Sequence, residues 1–326
     1  MADVVKFYAT GGPEVLKLEH FEVPAPGSNQ VKLKHHAIGL NFADTYFRDG
    51  TYPVPLPCGL GVEAAGTVEA VGADVRHLSV GDRVTYTGFI NTLGAYSTER
   101  LIAADLLIKL PDDIPFDVAA ATTMRGLTTA YLLQSLYPYQ GGETILVYAA
   151  AGGVGSLMTQ WAKSMGVKVI GCVSSKEKAD YAMLNGCDYV INSSQDDIPA
   201  LVKAFTDGRG VDVVYDSVGR ATFEASLDSL KRRGLMVCMG TASGTVPPFD
   251  PQVLAMKGSL FLTRPALADY ISDAVERDFL LSQLFGRIAA GDIKVEINQR
   301  FALSDAAEAH RALESRATTG CSILEP

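Results

Sequence analysis

The sequence predicts an α/β protein in which an irregular, β-rich domain is followed by a doubly wound parallel sheet. Three observations carry this prediction. The 326 residues exceed the usual size of a single hydrophobic core. Short strand-like runs punctuated by Gly and Pro fill roughly the first 125 residues. From about residue 143, strand-like runs alternate with segments of helical period, which is typical of a parallel sheet.

The first domain is predicted to cover residues 1–125. Its strand signals include "QVKLKHHAIGL", "AAGTVEAVG" and "GDRVTYTG", each bounded by turn residues. This spacing indicates a β-barrel or sandwich rather than βαβ units.

The second domain is predicted to cover residues 126–264. Its six strand-like runs lie near 144–149, 167–173, 188–192, 211–216, 235–239 and 258–263. Six strands of this kind complete a Rossmann domain.

The C-terminal segment, 265–326, follows those six strands. It contains a helical pattern ("ISDAVERDFLLSQLFGRIAAG"), a strand ("IKVEI"), a helix begun by Ser304 and Asp305, and a last strand ("CSILEP"). Because the Rossmann strands are already complete, we expect this segment to join the first domain.

The composition excludes several classes of protein. A hydrophobic content of 48% with 20% charged residues is typical of a globular protein. The net charge of −9 argues against a nucleic-acid or anionic-membrane surface as the main partner. No membrane span or leader pattern is present, so we expect a cytoplasmic location. The odd number of widely spaced cysteines predicts buried, reduced thiols: Cys58, Cys172, Cys187, Cys238 and Cys321.

The stretch "ILVYAAAGGVGSL" combines a strand, a glycine turn and the start of a helix. Ala150, Gly152 and Gly155 occupy the three glycine positions of the dinucleotide fingerprint, with alanine departing from the pattern at the first. The helix N-terminus offers unpaired N–H groups to an anion. We therefore predict that Gly152, Gly153 and Val154 bind a pyrophosphate, the alternative being an ordinary strand–helix turn.

The end of the second Rossmann strand selects the nucleotide. There the sequence reads "CVSSKEK", with Ser174, Ser175 and Lys178 where an NAD site usually has a carboxylate. Hydroxyl and ammonium donors suit a 2′-phosphate, which favours NADPH. In the alternative reading, Lys176 and Lys178 are solvated and Glu177 serves the ribose.

The chain resembles the zeta-crystallin-type quinone oxidoreductases of the medium-chain dehydrogenase/reductase superfamily. The resemblance is carried by "NFADTYFRDGTYP", "GLGVEAAGTVEAVG", "GDRV", "AAAGGVGS", "VYDSVGR" and "LESRAT", which together span nearly the whole chain. It implies a GroES-like catalytic domain joined to the Rossmann domain, with the active site in the cleft between them.

The zinc ligands of related alcohol dehydrogenases are missing from the sequence. Val62 replaces a ligand histidine, and Asn41 begins the segment where a ligand cysteine is expected. The five histidines show no ligand spacing with any cysteine. We therefore expect no metal, and an acceptor that spreads the incoming charge by itself, as quinones and enones do.

The resemblance also supplies candidate site residues. Asn41, Tyr46 and Tyr52 are implied to line the cleft near the nicotinamide as catalytic residues, with Asn41 and Tyr46 also touching the cofactor; loop packing is the alternative. An amide and two phenols can orient a carboxamide and donate to a developing oxyanion. Further cofactor positions are implied at Thr128, Ser193, Ser217, Met239, Gly240, Arg264 and Arg316.

Four of these positions have a qualification. The family often has tyrosine at Ser193 and an aromatic residue at Met239, so contacts at both are weakened. Thr128 could be an ordinary helix position. Arg316 ends a helix and could instead cap its dipole.

The leading functional hypothesis is an NADPH-dependent, zinc-free quinone reductase that transfers hydride to a quinone. An NADPH-dependent alkene (enone) reductase using the same residues is the enzymatic alternative. The non-enzymatic alternative is an RNA-binding or structural, crystallin-like role, which the acidic balance opposes. We also expect a homodimer formed through the last Rossmann strand, "GSLFLTR", whose apolar edge would otherwise be exposed.

Overall fold

The computed structural model describes all 326 residues. Contacts divide the chain into two compact units, one of residues 1–127 and 295–326 and the other of residues 128–294.

The first unit is β-rich, as the strand signals predict. Its strands are β1 (Ala2–Phe7), β2 (Lys17–Phe21), β3 (Gln30–Gly39), β4 (Cys58–Gly59), β5 (Glu63–Val71), β6 (Arg83–Thr87), β7 (Glu99–Ala103), β8 (Ile108–Lys109), β15 (Ile297–Ala302) and β16 (Cys321–Glu325). They form a three-stranded sheet, β2-β1-β4, and a seven-stranded sheet, β15-β16-β3-β5-β6-β8 with β7 paired to β3. Strand β3 alternates buried Val31 and Leu33 with more exposed lysines, so its pleat carries one face into the core.

Three helices belong to or enter the first unit. They are α1 (Phe42–Arg48), α2 (Phe116–Gln134), whose first part lies in this unit, and α10 (Ala306–Glu314).

The second unit contains the predicted Rossmann sheet. Its strands are β9 (Thr144–Tyr148), β10 (Lys168–Val173), β11 (Tyr189–Asn192), β12 (Val211–Asp216), β13 (Leu230–Cys238) and β14 (Phe261–Thr263). They are parallel in the order β11-β10-β9-β12-β13-β14, so the sheet is doubly wound from β9 outward.

The helices of the second unit cover the sheet. They are α3 (Gly153–Ser164), α4 (Lys176–Leu184), α5 (Ile198–Phe205), α6 (Phe223–Ser229), α7 (Gln252–Met256), α8 (Leu267–Ile271) and α9 (Ala274–Ala290).

The boundary in the C-terminal segment differs from the predicted one. Residues 265–294 group with the Rossmann unit instead of the first domain. Tyr270 stacks on Tyr131 with ring centroids 4.3 Å apart, and the Arg287 guanidinium lies 5.0 Å from the Trp161 ring centroid. Helix α9 also buries an apolar stripe, Leu280, Leu281, Leu284 and Phe285. These contacts hold the segment in the second unit, and the chain joins the first unit only at residue 295.

Several local predictions are confirmed and one is wrong. Helical spacing in the sequence predicts that Trp161 is buried and that Gly166 caps its helix. Trp161 is completely buried, and Gly166 takes a left-handed φ of 74° just beyond α3. All five cysteines are free; four are buried and Cys58 is half-buried. The strand predicted at "IKVEI" instead begins at Ile297 and continues to Ala302, beside β16. None of the helices has the length and apolar character that crossing a bilayer requires.

Candidate functional site

The glycine loop joins β9 to α3 through a tight turn. The left-handed φ falls on Ala149 (51°), one residue before the first fingerprint position. A Cβ added to Gly155 would lie 2.3 Å from Ala149 O and 2.7 Å from Ala150 Cα, which are both backbone atoms. Glycine at 155 therefore allows α3 to start close against the end of β9.

The start of α3 presents backbone donors. Gly152 is the N-cap and has no side chain with which to cap the helix. The Ser156 N–H donates to Gly152 O at 2.8 Å, so the N–H groups of Gly153, Val154 and Gly155 precede the first turn bond. This donor set fits a pyrophosphate.

The end of β10 leads directly into α4. Ser175 is the N-cap of α4, and its Oγ accepts from the Lys178 N–H at 3.3 Å. Hydrogen bonds from the backbone N–H of Glu177 and from the Ser175 hydroxyl both lower the pKa of the Glu177 carboxyl group. Lys176 and Lys178 both lie in the first turn of α4, where a cation opposes the helix dipole. An anion bound beside them would remove this unfavourable interaction.

The ends of β11 and β13 carry two further predicted positions. Ser193 donates to Val173 O through both its N–H (2.8 Å) and its Oγ (3.0 Å). The Met239 N–H donates to Asp216 O at 2.8 Å. A Cβ on Gly240 would lie 2.5 Å from Ser217 O, so the loops after β12 and β13 touch.

The remaining predicted positions lie on α2, after β12, after β14 and after α10. Thr128 is half-buried on α2, and Ser217 is half-buried after β12. Arg264 is exposed, and its Nη1 donates to Pro265 O at 3.1 Å. Arg316, in the first unit, follows the C-cap of α10 with a left-handed φ of 59°. Its place at the end of a helix leaves the dipole-capping reading open.

Sequence reasoning missed Asp216, the last residue of β12. Its buried carboxylate accepts from Val218 N–H (2.7 Å) and Gly219 N–H (3.0 Å) through Oδ1. Through Oδ2 it accepts from the hydroxyls of Thr222 (2.7 Å) and Ser226 (2.8 Å). Asp216 therefore fixes the turn that carries Ser217. The available signal was a carboxylate that ends an apolar strand, since such a charge must be satisfied when buried.

In the first unit, Asn41 is the N-cap of α1 and is held at two points. Its backbone N–H donates to Asp44 Oδ2 at 2.9 Å. Its side-chain Nδ2 donates to Glu63 Oε2 at 2.8 Å. Asn41 is buried, and Asp44 and Glu63 are completely buried.

Tyr46 and Tyr52 lie together in an aromatic cluster. Their ring centroids are 5.2 Å apart, and the Tyr52 N–H donates to Tyr46 O at 2.8 Å. Phe47 and Phe89 pack on Tyr52, and Phe42 on Tyr46, at centroid distances between 5.2 and 5.5 Å. The two phenols predicted as catalytic residues are thus adjacent.

A buried hydrogen-bond chain runs from α1 to α10. The Tyr96 hydroxyl donates to Asp44 Oδ2 (2.9 Å) and lies 3.1 Å from His310 Nε2. Arg48 Nη1 lies 3.0 Å from His310 Nδ1, and Arg48 also pairs with Glu314 at 2.5 Å. Because Arg48 can only donate, His310 accepts at Nδ1 and donates from Nε2, which is a neutral imidazole.

Burial shifts the pKa of two carboxyl groups and two histidines that lie in the interior of this unit. It raises the pKa of Asp44 to about 7 against the opposing effect of the bonds from Asn41 and Tyr96. It raises the pKa of Glu63 to about 7 against the opposing charge of Arg125. It lowers the pKa of His35 and of His310 to about 3, and the positive charge of Arg48 lowers that of His310 further.

These shifts predict how stability depends on pH. The pKa of His310 is lower in the folded chain than in the unfolded chain, so the unfolded chain binds a proton at His310 that the folded chain does not. His310 therefore lowers the free energy of unfolding as pH falls from 6.5 toward 3. His310→Gln should remove that cost. The free energy of unfolding of the variant relative to the wild type should rise as pH falls, by up to about 1.4 kcal/mol per pH unit. Urea unfolding between pH 4.5 and 7.5 measures it, and a pH-independent difference would contradict it.

The metal-ligand positions of the zinc enzymes carry no ligand here. Val62 is completely buried, and the Asn41 side chain is hydrogen-bonded to Glu63. No group of three or more His, Cys, Asp or Glu side chains is arranged to hold a metal ion.

A GroES-like unit combined with a Rossmann unit is the architecture of the medium-chain dehydrogenases and reductases. The family model "Alcohol dehydrogenase GroES-like domain" matches residues 27–112, and "Zinc-binding dehydrogenase" matches residues 153–272. The quinone oxidoreductase of Pseudomonas aeruginosa is 50% identical over 327 residues, covering 100% of both chains. The chain belongs to the zeta-crystallin-type quinone oxidoreductase family.

Two other relatives bear on function. The solved structure of Escherichia coli quinone oxidoreductase complexed with NADPH has a TM-score of 0.96 and 47% identity, covering 99% of this chain and 100% of that one. The 2-haloacrylate reductase of a Burkholderia species is 42% identical, covering 100% of this chain and 99% of its own length.

Proposed function

We propose that this protein is an NADPH-dependent quinone reductase. The observation that carries the proposal is the likeness, over nearly the whole chain, to a quinone oxidoreductase solved with NADPH. The bare helix N-terminus at Gly152 and the two lysines in the first turn of α4 support it, because both favour bound phosphate.

The cofactor contacts begin with its phosphates. The N–H groups at the start of α3 take the pyrophosphate, and Ser174, Ser175 and Lys178 take the 2′-phosphate. When bound, NADPH supplies the hydride and its two electrons. The other positions that contact the cofactor are Asn41, Tyr46, Thr128, Ser193, Ser217, Met239, Gly240, Arg264 and Arg316.

The catalytic residues are Asn41, Tyr46 and Tyr52. Asn41, fixed by Asp44 and Glu63, orients a carboxamide with its amide. The adjacent phenols of Tyr46 and Tyr52 donate to the oxygen on which negative charge develops. The reaction needs no zinc, since a quinone delocalises the charge that a metal would otherwise stabilise.

Reduction of an activated alkene is the second candidate. The likeness to a 2-haloacrylate reductase favours it, because that name describes a substrate with a carbon–carbon double bond conjugated to a carboxylate. The same phenols would donate to the enolate oxygen.

Turnover of a small benzoquinone beside a simple enone tests the proposal. We expect NADPH oxidation with the quinone to exceed that with the enone, and to survive dialysis against a strong chelator. A strong preference for the enone would favour the second candidate. Activity lost on dialysis and restored by zinc would contradict the metal-free mechanism.

Lys178 should distinguish NADPH from NADH. A charge-assisted bond contributes about 1.5 to 3 kcal/mol, so Lys178→Ala should weaken NADPH roughly 10- to 150-fold. Screening by water favours the lower figure, because Lys178 is only half-buried. NADH, which has no 2′-phosphate, should bind almost as before. Fluorescence titration measures both dissociation constants, with Lys203→Ala, an exposed lysine on α5, as the matched control. Equal weakening of the two cofactors would contradict the assignment.

Three further features complete the proposal. The protein acts in the cytoplasm, where free thiols such as its five cysteines stay reduced. Its net charge of −9 disfavours a nucleic-acid partner.

It forms a homodimer through β14, which is the edge of the Rossmann sheet and leaves Phe261 61% exposed. Light scattering at micromolar concentration tests the dimer.

A further inference from the structure

Glu63, the first residue of β5, places a completely buried carboxyl group behind Asn41. Its Oε2 accepts from Asn41 Nδ2 at 2.8 Å, and its Oε1 accepts from the Met124 N–H, in the middle of α2, at 2.5 Å. Two donors from different elements therefore converge on one carboxyl group. A glutamine could not replace it directly, since an amide offers one acceptor oxygen and presents donors at its other end.

The surrounding backbone is shaped around this carboxyl group. A Cβ on Gly39, at the end of β3, would lie 2.3 Å from Glu63 Oε2 and 2.5 Å from Ala120 O. Only glycine at 39 leaves room for the Glu63 side chain between the strand and α2. The position of the carboxyl group is therefore built into both neighbouring elements.

A buried guanidinium completes the arrangement. Arg125 follows Met124 directly on α2. It donates through Nη2 to Leu40 O and through Nη1 to Ala121 O (2.8 Å). Leu40 immediately precedes Asn41. The Arg125 charge also favours the ionised form of Glu63 against the effect of burial on its pKa. Helix α2 thus holds the backbone before Asn41, while Glu63 holds its side chain.

We propose that Glu63 is a positioning residue for the reaction, which fixes the orientation of the Asn41 amide. This inference rests on the proposed function of Asn41. One Nδ2 proton of Asn41 is donated to Glu63. If the Asn41 amide rotated by half a turn, its Oδ1 would face the Glu63 carboxyl group, and this hydrogen bond would be lost. The remaining Nδ2 proton is then held in one fixed direction.

A double-mutant cycle on quinone turnover tests the proposal. Glu63→Gln should lower kcat about 10- to 100-fold, the usual cost of a misplaced catalytic group. In an Asn41→Ala background the same change should lower kcat less than about threefold, because no amide remains to be oriented. A merely structural role would lower kcat equally in both backgrounds. Glu69→Gln, a change on the same strand at a surface ion pair with Lys32, is the matched control.

A second measurement reads the contact without activity. Asn41→Asp places a carboxylate against Glu63 and should lower the thermal midpoint below that of Asn41→Ala. Adding Glu63→Gln to Asn41→Asp restores an amide–carboxylate pair with the roles reversed, and should recover much of the loss.

The outcomes separate the two proposals. Absence of any NADPH-dependent quinone turnover in the wild type would overturn the proposed function, while the thermal midpoints would still decide the Glu63 contact. No effect of Glu63→Gln on kcat, an equal effect in both Asn41 backgrounds, or no thermal recovery in the reversed pair would overturn the positioning role.

Discussion

Replacing Gly155 by alanine should reduce NADPH affinity on the order of 100-fold and lower the free energy of unfolding by about 2 to 3 kcal/mol. The added Cβ would lie 2.3 Å from Ala149 O and 2.7 Å from Ala150 Cα. Neither is the end of a flexible side chain, so α3 must move away from the end of β9. That movement displaces the N–H groups that bind the pyrophosphate.

Two other glycines serve as matched controls. A Cβ on Gly152 would lie 3.2 Å from Ala149 O, and Gly152 has an ordinary φ of −85°, so Gly152→Ala should reduce NADPH affinity with less effect on stability. Gly286, inside α9, has no neighbour within 4 Å of an added Cβ, so Gly286→Ala should stabilise the protein by up to about 1 kcal/mol. Urea unfolding and fluorescence titration of NADPH measure both effects. Unchanged NADPH binding by Gly155→Ala would contradict the prediction.

The sequence predicted most of the Rossmann unit because its signals are local. A strand and its following helix are adjacent in the chain, so the alternation from 143 onward was visible, as was the glycine loop at 152–155. Trp161 was placed in the core by helical period alone. The assignment of residues 265–294 depended instead on which unit their apolar stripe faces. That choice is made by contacts such as Tyr270 with Tyr131, which no local pattern encodes.

The partners of the candidate site were less accessible to sequence reasoning. Asn41 was identified through a resemblance, but its bond to Glu63 spans 22 residues and depends on the register of β3 against β5. Asp216 binds groups up to 10 residues away, across the turn that follows its own strand. The visible signal was a carboxylate among apolar residues, Glu63 within "GLGVEAAG" and Asp216 at the end of its strand. The identity of its partner required the fold.

Among the side chains of the buried hydrogen-bond chain between α1 and α10, Arg48 should stabilise the fold most. It is only 2% exposed, and it donates to Gly11 O (3.0 Å), to His310 Nδ1 (3.0 Å) and to Glu314 (2.5 Å). Arg48→Met keeps much of the apolar volume but leaves these three acceptors without their donor. Because His310 is completely buried, its Nδ1 cannot turn to water as Glu314 can, and we expect a loss of about 3 to 4 kcal/mol in the free energy of unfolding.

Arg311→Met is the matched control for this loss. Arg311 lies on α10 beside His310, is exposed and pairs only across one helical turn with Glu308 at 3.1 Å. Such a pair contributes less than about 0.5 kcal/mol, so the same substitution there should barely change stability. Urea unfolding of both variants at neutral pH gives the comparison. Equal losses would contradict the prediction. Removing the buried Arg48 guanidinium would then cost no more stability than removing the exposed Arg311 guanidinium.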